Sequence, residues 1–205
     1  MPGVIYDQPL PTKLQVAPDL NGLKKLIKAG QLRSAFNLTT RLLSDLGQGP
    51  GMSSRPSKNS MLSFEIWSCR FQLLVALRLY NYVLEEIAAF EDLDSPDTFL
   101  QFYSEFRENG RSGSMVPFSL RLIHAEILMH TAHPWNAVER IDRLEKNKEA
   151  IAIAEASNLD AQKLGMWQKR LDSVLLLKAR VYFKLKDFNH SMTIIPGPGR
   201  CSVQG

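Results

Sequence analysis

Residues 113–126, GSMVPFSLRLIHAE, decide the fold. A turn at Gly113 and Ser114 leads through Met115 and Val116 to Pro117, a residue tolerated where a helix begins because its missing N–H would be unpaired there anyway. Beyond it Phe118, Leu122, Ala125 and Met129 fall at i, i+4, i+7 and i+11, one helical stripe. Leu120, Ile123 and Ile127 form a second stripe. A helix apolar on two sides packs between neighbours instead of lying over a core. Helices are therefore expected on both sides of it.

The flanking sequence supplies them. Residues 1–18 carry Pro2, Pro9, Pro11 and Pro18 without any period, and read as an extended Pro-rich arm. From Asp19 a pattern of Leu20, Leu23, Leu26 and Ile27 runs to Gly30, and Leu32, Ala35, Phe36, Leu38, Leu42 and Leu43 follow after the glycine. Two short helices joined this way make an αα-hairpin. Residues 47–60, rich in glycine, proline and serine, read as a loop. A helix over 63–78 carries Phe64, Trp67, Phe71, Leu74 and Val75, and a turn at 79–81 leads to Val83–Phe90. Residues 91–111 are a mixed connector whose Phe99, Phe102, Tyr103 and Phe106 are expected to pack onto a neighbour. After the central helix, a turn at 131–134 opens a helix from Trp135 to about Ala156. Another spans Gln162–Lys184, and a short one follows until Pro196. No stretch alternates with the period of a strand. The expected fold is all-α.

A weak internal repeat links these hairpins. Four turns are each followed by an apolar residue and, three positions later, a small residue or Val: Leu32/Ala35, Tyr80/Val83, Pro134/Ala137 and Phe188/Ser191. Twelve residues before the second member of each pair stand Leu23, Phe71, Ala125 and Ala179. This pattern resembles the tetratricopeptide repeat, in which small residues let paired helices approach. The predicted architecture is degenerate tetratricopeptide-like hairpins, about 19–46, 62–90, 115–156 and 162–195, stacked as a short α-solenoid. Residues 196–205 (PGPGRCSVQG) read as a tail outside the repeat.

Composition limits function. The chain has 205 residues, 44% of them hydrophobic, and a net charge of +4. Eight Lys/Arg against three acids lie in residues 1–60, and seventeen against eighteen in 61–205, so the basic excess sits at the front. Two cysteines, Cys69 and Cys201, make no disulfide framework. There is no run of eighteen apolar residues and no basic-then-apolar leader at the start, so a soluble intracellular protein is expected.

Catalytic signatures are missing. His130 and His133 lack the third ligand and open position of a catalytic zinc site, and Pro134 follows them directly. Both read as turn histidines; His124, near Arg121 and Glu126, reads as a satisfied core histidine. Gly47, Gly49 and Gly51 follow a helix instead of a strand, with no Gly-Lys-Ser/Thr after them, so they make no phosphate loop. No enzyme activity, cofactor or metal is expected. Two charge features remain as candidate protein-interaction surfaces. Glu85, Glu86, Glu91, Asp92, Asp94 and Asp97 form an acidic run without an intervening base. Residues 163–186 hold seven bases, Lys178, Arg180, Lys184 and Lys186 among them, against Asp172 alone. Such patches steer and orient partners. Without stacking aromatics or a reader motif, nucleic acid is not expected as a partner.

Three stretches carry a more specific resemblance. They are the 113–126 motif with the Asn136–Leu144 helix after it, Ala35–Gly51 (AFNLTTRLLSDLGQGPG), and Phe90–Phe99 (FEDLDSPDTF). Together they resemble the subunit 12 family of the trafficking protein particle complexes, whose members are tetratricopeptide repeat proteins, in order over roughly residues 20–193. The resemblance implies a non-catalytic scaffold subunit of a vesicle tether in ER-to-Golgi transport and autophagy. It further implies other subunits of that complex as partners, an indirect link to a Rab-type GTPase, and a cytoplasmic location peripheral to the ER–Golgi intermediate compartment and Golgi. Membrane association would be peripheral, through the complex, and a nuclear, kinetochore-linked role is implied more remotely. Family members continue through further repeats, so the chain reads as a C-terminally truncated form. The alternative is a peptide-binding adaptor of the co-chaperone type, which needs Lys/Asn pairs on inner helices; the helices at 64–78, 117–131 and 167–185 contain no Asn.

Overall fold

The computed structural model describes residues 15–49, 52, 58–90, 92–108, 110–155 and 161–194. Most of the N-terminal arm, part of the glycine loop, Glu91 and the C-terminal tail lie outside the described residues. The helices are α1 Leu20–Lys28, α2 Leu32–Asp45, α3 Met61–Ala76, α4 Tyr80–Ile87, α5 Ser104–Arg107, α6 Phe118–Glu126, α7 Trp135–Glu155, α8 Ala161–Lys184 and α9 Phe188–Ile194, with single 3-10 turns between some of them. No strand occurs among the described residues; one antiparallel bridge joins Phe99 to Ser114. The molecule is an all-α stack of helical hairpins, α1–α2, α3–α4, α6–α7 and α8–α9.

Local chemistry fixes where these helices start and stop. Asp19 caps α1, its Oδ1 accepting from Gly22 N at 2.6 Å. A methyl group on Gly22 would stand 2.0 Å from the Ala17 carbonyl oxygen, so only glycine fits this cap. Ser60 and Ser63 form a reciprocal capping box at the start of α3. Three hairpin turns are built alike. Gly30, Arg78 and Lys186 each adopt a left-handed φ of 71°, 59° and 62°. In each, the next residue's N–H donates back five residues: Gln31 to Leu26 O, Leu79 to Leu74 O, and Asp187 to Tyr182 O. That is the Schellman closure, which satisfies carbonyls the helix end leaves open. The second turn thus sits at 77–79, two residues before the expected position, and α4 begins at Tyr80. The third turn uses Pro134 in place of a left-handed residue.

Above these turns the twelve-residue pairs meet as pairs. Leu23 and Ala35, Phe71 and Val83, Ala125 and Ala137, and Ala179 and Ser191 are all buried. In the last pair the Ser191 hydroxyl donates to Ala179 O at 3.0 Å, so its polar group costs nothing in the core.

The core divides into three. α1 and α2 enclose Leu23, Leu26, Ala35 and Leu38, together with Leu73 of α3. A larger centre gathers Phe64, Trp67, Phe71 and Leu74 of α3, Val83 and Ile87 of α4, and Leu120, Ile123 and Ile127 of the central segment. The third joins Ala125, Ala137, Val138 and Ile141 to Val174, Leu177 and Val181 of α8. The two stripes of α6 face different cores, which is why the helix is apolar on both sides. Leu120, Ile123 and Ile127 are buried; Phe118, Leu122 and Met129 are half-buried against the third core.

The connector folds back across the second hairpin. Phe90 packs on Phe64, Trp67 and Phe71 with ring centroids 5.4–6.1 Å apart. Leu100 N donates to Gly113 O and Met115 N to Thr98 O, closing the loop. Tyr103 and Phe106 pack as expected, but Phe102 is 63% exposed. Its neighbours Leu100 and Tyr103 pack against the second core, and Phe102 between them faces out.

Candidate protein-interaction site

The 113–126 motif works as a clasp between connector and central hairpin. Ser114 Oγ accepts from Val116 N at 3.2 Å and from Arg121 Nη2 at 3.0 Å. Arg121 also donates to the Asp94 carboxylate at 2.6 Å and to Leu93 O at 3.1 Å. Its guanidinium therefore ties α6 to the acidic connector through three acceptors. Gly113 has φ 119°, open only to glycine without strain. Met115 and Val116 are buried in the second core beneath the clasp. Pro117 is the N-cap position, and Phe118 carries the guanidinium of Arg170 5.4 Å above its ring.

Behind the clasp lies a cleft of about 200 Å3, lined by Asp92, Leu93, Asp94, Arg121, His124, Ala125, Arg140, Arg143 and Leu144. Arg140 of α7 donates to His124 O at 3.0 Å, and the same nitrogen lies 3.1 Å from His124 Nε2. Burial, with Arg140 second and Arg121 behind it, lowers the His124 pKa to about 4. His124 is thus a neutral acceptor at physiological pH, a satisfied histidine facing a charged cleft.

The acidic run does not stay together. Glu86 is taken by Arg70, whose Nε and Nη2 each reach a carboxylate oxygen at 2.6 Å. Asp94 is taken by Arg121, and Asp97 accepts from Asn59 at 2.9 Å. Glu85 and Asp92 remain exposed, and Glu91 lies outside the described residues. The basic run is divided likewise. Lys178 sits between Asp142 at 2.8 Å and Glu145 at 2.7 Å, which raise its pKa against the opposing effect of burial. Arg180 pairs with Glu126 at 2.7 Å, and Lys184 meets His130 Nδ1 at 2.9 Å. Lys186 is exposed at the left-handed turn position. Six of the ten charges singled out in the sequence are engaged with side chains elsewhere in the fold.

His130 stacks on Tyr80 at 3.6 Å between centroids, joining the second and third hairpins, whereas His133 is exposed. Burial and the charges of Lys184 and Arg180 lower the His130 pKa. Among the described residues no group of three or more His, Cys, Asp or Glu could hold a metal ion. None of the described helices is long and apolar enough to cross a membrane.

Three features escape the sequence reading. Arg70 is 2% exposed, the one charge in the apolar face of α3, lying 4.2 Å over the Phe36 ring and donating to Thr40 Oγ1 at 2.8 Å. Arg140 and Arg143, three apart on α7, enter the cleft. The third is a surface: Leu176, Phe183, Phe188 and Met192 are 59%, 64%, 53% and 71% exposed on the outer side of α8–α9. With Met129 and Ala179 the α8 residues line a shallow groove of about 350 Å3.

No family profile matches the chain, and no solved structure matches it. Two curated relatives do. Trafficking protein particle complex subunit 12 of mouse is 33% identical over 180 residues, covering 82% of this chain and 22% of that protein. The human protein of the same name is 33% identical over 183 residues, covering 82% of this chain and 24% of that protein. The chain thus spans about a quarter or less of the length of the curated relatives it matches. Buried pairs, repeated turns and aligned sequence agree, and the chain is subunit 12-like, similar to the trafficking protein particle complex subunit 12 proteins over 82% of its own length.

Proposed function

We propose that this chain is a non-catalytic scaffold region of a vesicle-tethering complex, acting in ER-to-Golgi transport and autophagy by holding other subunits of a trafficking protein particle complex. The observation that carries this reading is the 33% identity to subunit 12 across 82% of the chain. The architecture supports it. Stacked hairpins offer extended surfaces, and the outer side of α8–α9 leaves large apolar side chains uncovered. In this reading the link to a Rab-type GTPase is indirect, through neighbouring subunits. Contact with Golgi-region membranes is peripheral and made by the assembled complex. Ser114–Phe118 and Arg121 set the angle between connector and central hairpin, and so the relative placement of the surfaces on either side.

The test is affinity purification of the 205-residue chain from its native cytosol, with co-purifying proteins identified by mass spectrometry. Recovery of trafficking-complex subunits is the expected result. Their absence, with protein shown to be folded by circular dichroism, overturns the assignment for this region.

A further inference from the structure

Arg140 and Arg143 stand three residues apart on α7, so both project from one helix face into the cleft behind the clasp. Arg121 in the same cleft is fully committed to Asp94, Leu93 O and Ser114 Oγ. The other two are not. Arg140 hydrogen-bonds only to His124, through one nitrogen, and Arg143 is exposed. Among the described residues no carboxylate lies within ion-pair distance of either.

Arg140 is half-buried and has given up hydration, while Asp92 across the cleft, beyond ion-pair distance, compensates it only in part. Burial first, then the charge of Arg143, hold Arg140 below the ordinary arginine range against the opposing pull of Asp92. The geometry points to a receptor for one carboxylate side chain of a partner polypeptide, clamped between the Arg140 and Arg143 guanidinium groups. The forked donors of guanidinium match the two oxygens of a carboxylate.

The opposite wall sets the charge of the occupant. Asp94 is neutralised by Arg121, but Asp92 is not, and a dianionic phosphate would meet its repulsion. A monoanion is accepted with less penalty. At about 200 Å3 the cleft is below the usual volume of roughly 300–1,000 Å3 for small-molecule sites, and suits a side chain better than a nucleotide. This inference is independent of the trafficking reading, since it concerns the chemistry of the occupant and not the complex that supplies it.

The test titrates the full 205-residue chain with N-acetyl-glutamate amide while following arginine side-chain Nε–H resonances by NMR. N-acetyl-glutamine amide and inorganic phosphate at pH 7.5 serve as parallel probes. The expected result is a saturable shift confined to Arg140 and Arg143 with the glutamate probe, no shift with glutamine, and weaker binding of phosphate. Arg143→Gln, at an exposed position that leaves packing intact, should weaken glutamate binding about tenfold, the equivalent of ~1.4 kcal/mol; Arg140→Gln should do the same or more. Unsaturable shifts spread over all arginines overturn the proposal. So does unchanged glutamate binding in Arg143→Gln, and phosphate binding as tight as glutamate overturns the carboxylate assignment.

Discussion

Arg70 shows what one residue can demand of a fold. It is a guanidinium only 2% exposed, satisfied by a bidentate pair with Glu86, by Thr40 and by the Phe36 ring. One side chain thereby ties α2, α3 and α4. Its worth is in completeness: removing one partner leaves a buried charge uncompensated, at a cost of about 3–5 kcal/mol. Glu86→Ala is therefore expected to lower unfolding free energy by about that amount in urea titration, whereas exposed Glu85→Ala should change it by less than about 0.5 kcal/mol. Equal small effects would show that the pair is not what holds these helices. His124 makes a pH prediction. Its folded pKa of about 4 lies below the ordinary 6.5, so above pH 6.5 it is neutral in folded and unfolded chains alike. As pH falls from about 6.5 to 4 the unfolded chain binds the proton and the folded one resists it, so stability declines, by at most about 3 kcal/mol. His124→Gln should flatten that part of the stability–pH curve. Phe118, half-buried beside Arg170, offers a milder test: Phe118→Ala should cost about 1–2 kcal/mol, below the roughly 3–5 kcal/mol of a fully buried phenylalanine.

At the scale of elements, the hairpins are governed by small residues at helix crossings. Ala35 and Ala137 are 0% exposed opposite Leu23 and Ala125. A larger side chain there must separate two helices, so Ala137→Leu should destabilise by about 1–3 kcal/mol or more, read as a lower midpoint in thermal unfolding. An unchanged midpoint would mean that α6 and α7 are not closely apposed. Much of this was legible in the sequence. The twelve-residue spacing is short-range, and small or β-branched residues recurring at fixed distance from a turn leave a visible mark. The Schellman turns were only half legible. Gly30 announces itself, but Arg78 and Lys186 adopt left-handed backbone without being glycine, asparagine or aspartate, and only the helix they terminate forces them there. For the same reason the second turn falls two residues earlier than the spacing of apolar residues implied.

For the molecule as a whole, the outer side of α8–α9 is the feature with the largest consequence. Leu176, Phe183, Phe188 and Met192 stand exposed where, one hairpin earlier, α8 itself covers α6 and α7 with Val174, Leu177 and Val181. The exposed positions of α1, at the other end of the described stack, include Lys24, Lys25 and Lys28. Hydrophobic burial thus favours pairing of the α8–α9 sides in the isolated chain, two copies related by a twofold axis. Sedimentation velocity should show concentration-dependent association that Phe183→Asp with Met192→Asp abolishes. Monodisperse monomer for the unaltered chain at high concentration would refute it.

The sequence by itself determined the helices, the hairpin pairing and the two-sided character of the 113–126 helix, because each is set by periodicity, caps and turns within about twenty residues. Only the tertiary structure decided what the charges do. Glu86 and Arg70 are sixteen residues apart, Asp94 and Arg121 twenty-seven, and Lys178 and Glu145 thirty-three. Whether a charged side chain lies on a solvated face, closes a hairpin or waits in a cleft depends on which helix the packing brings opposite it, and a linear pattern of like charges carries no information about that neighbour.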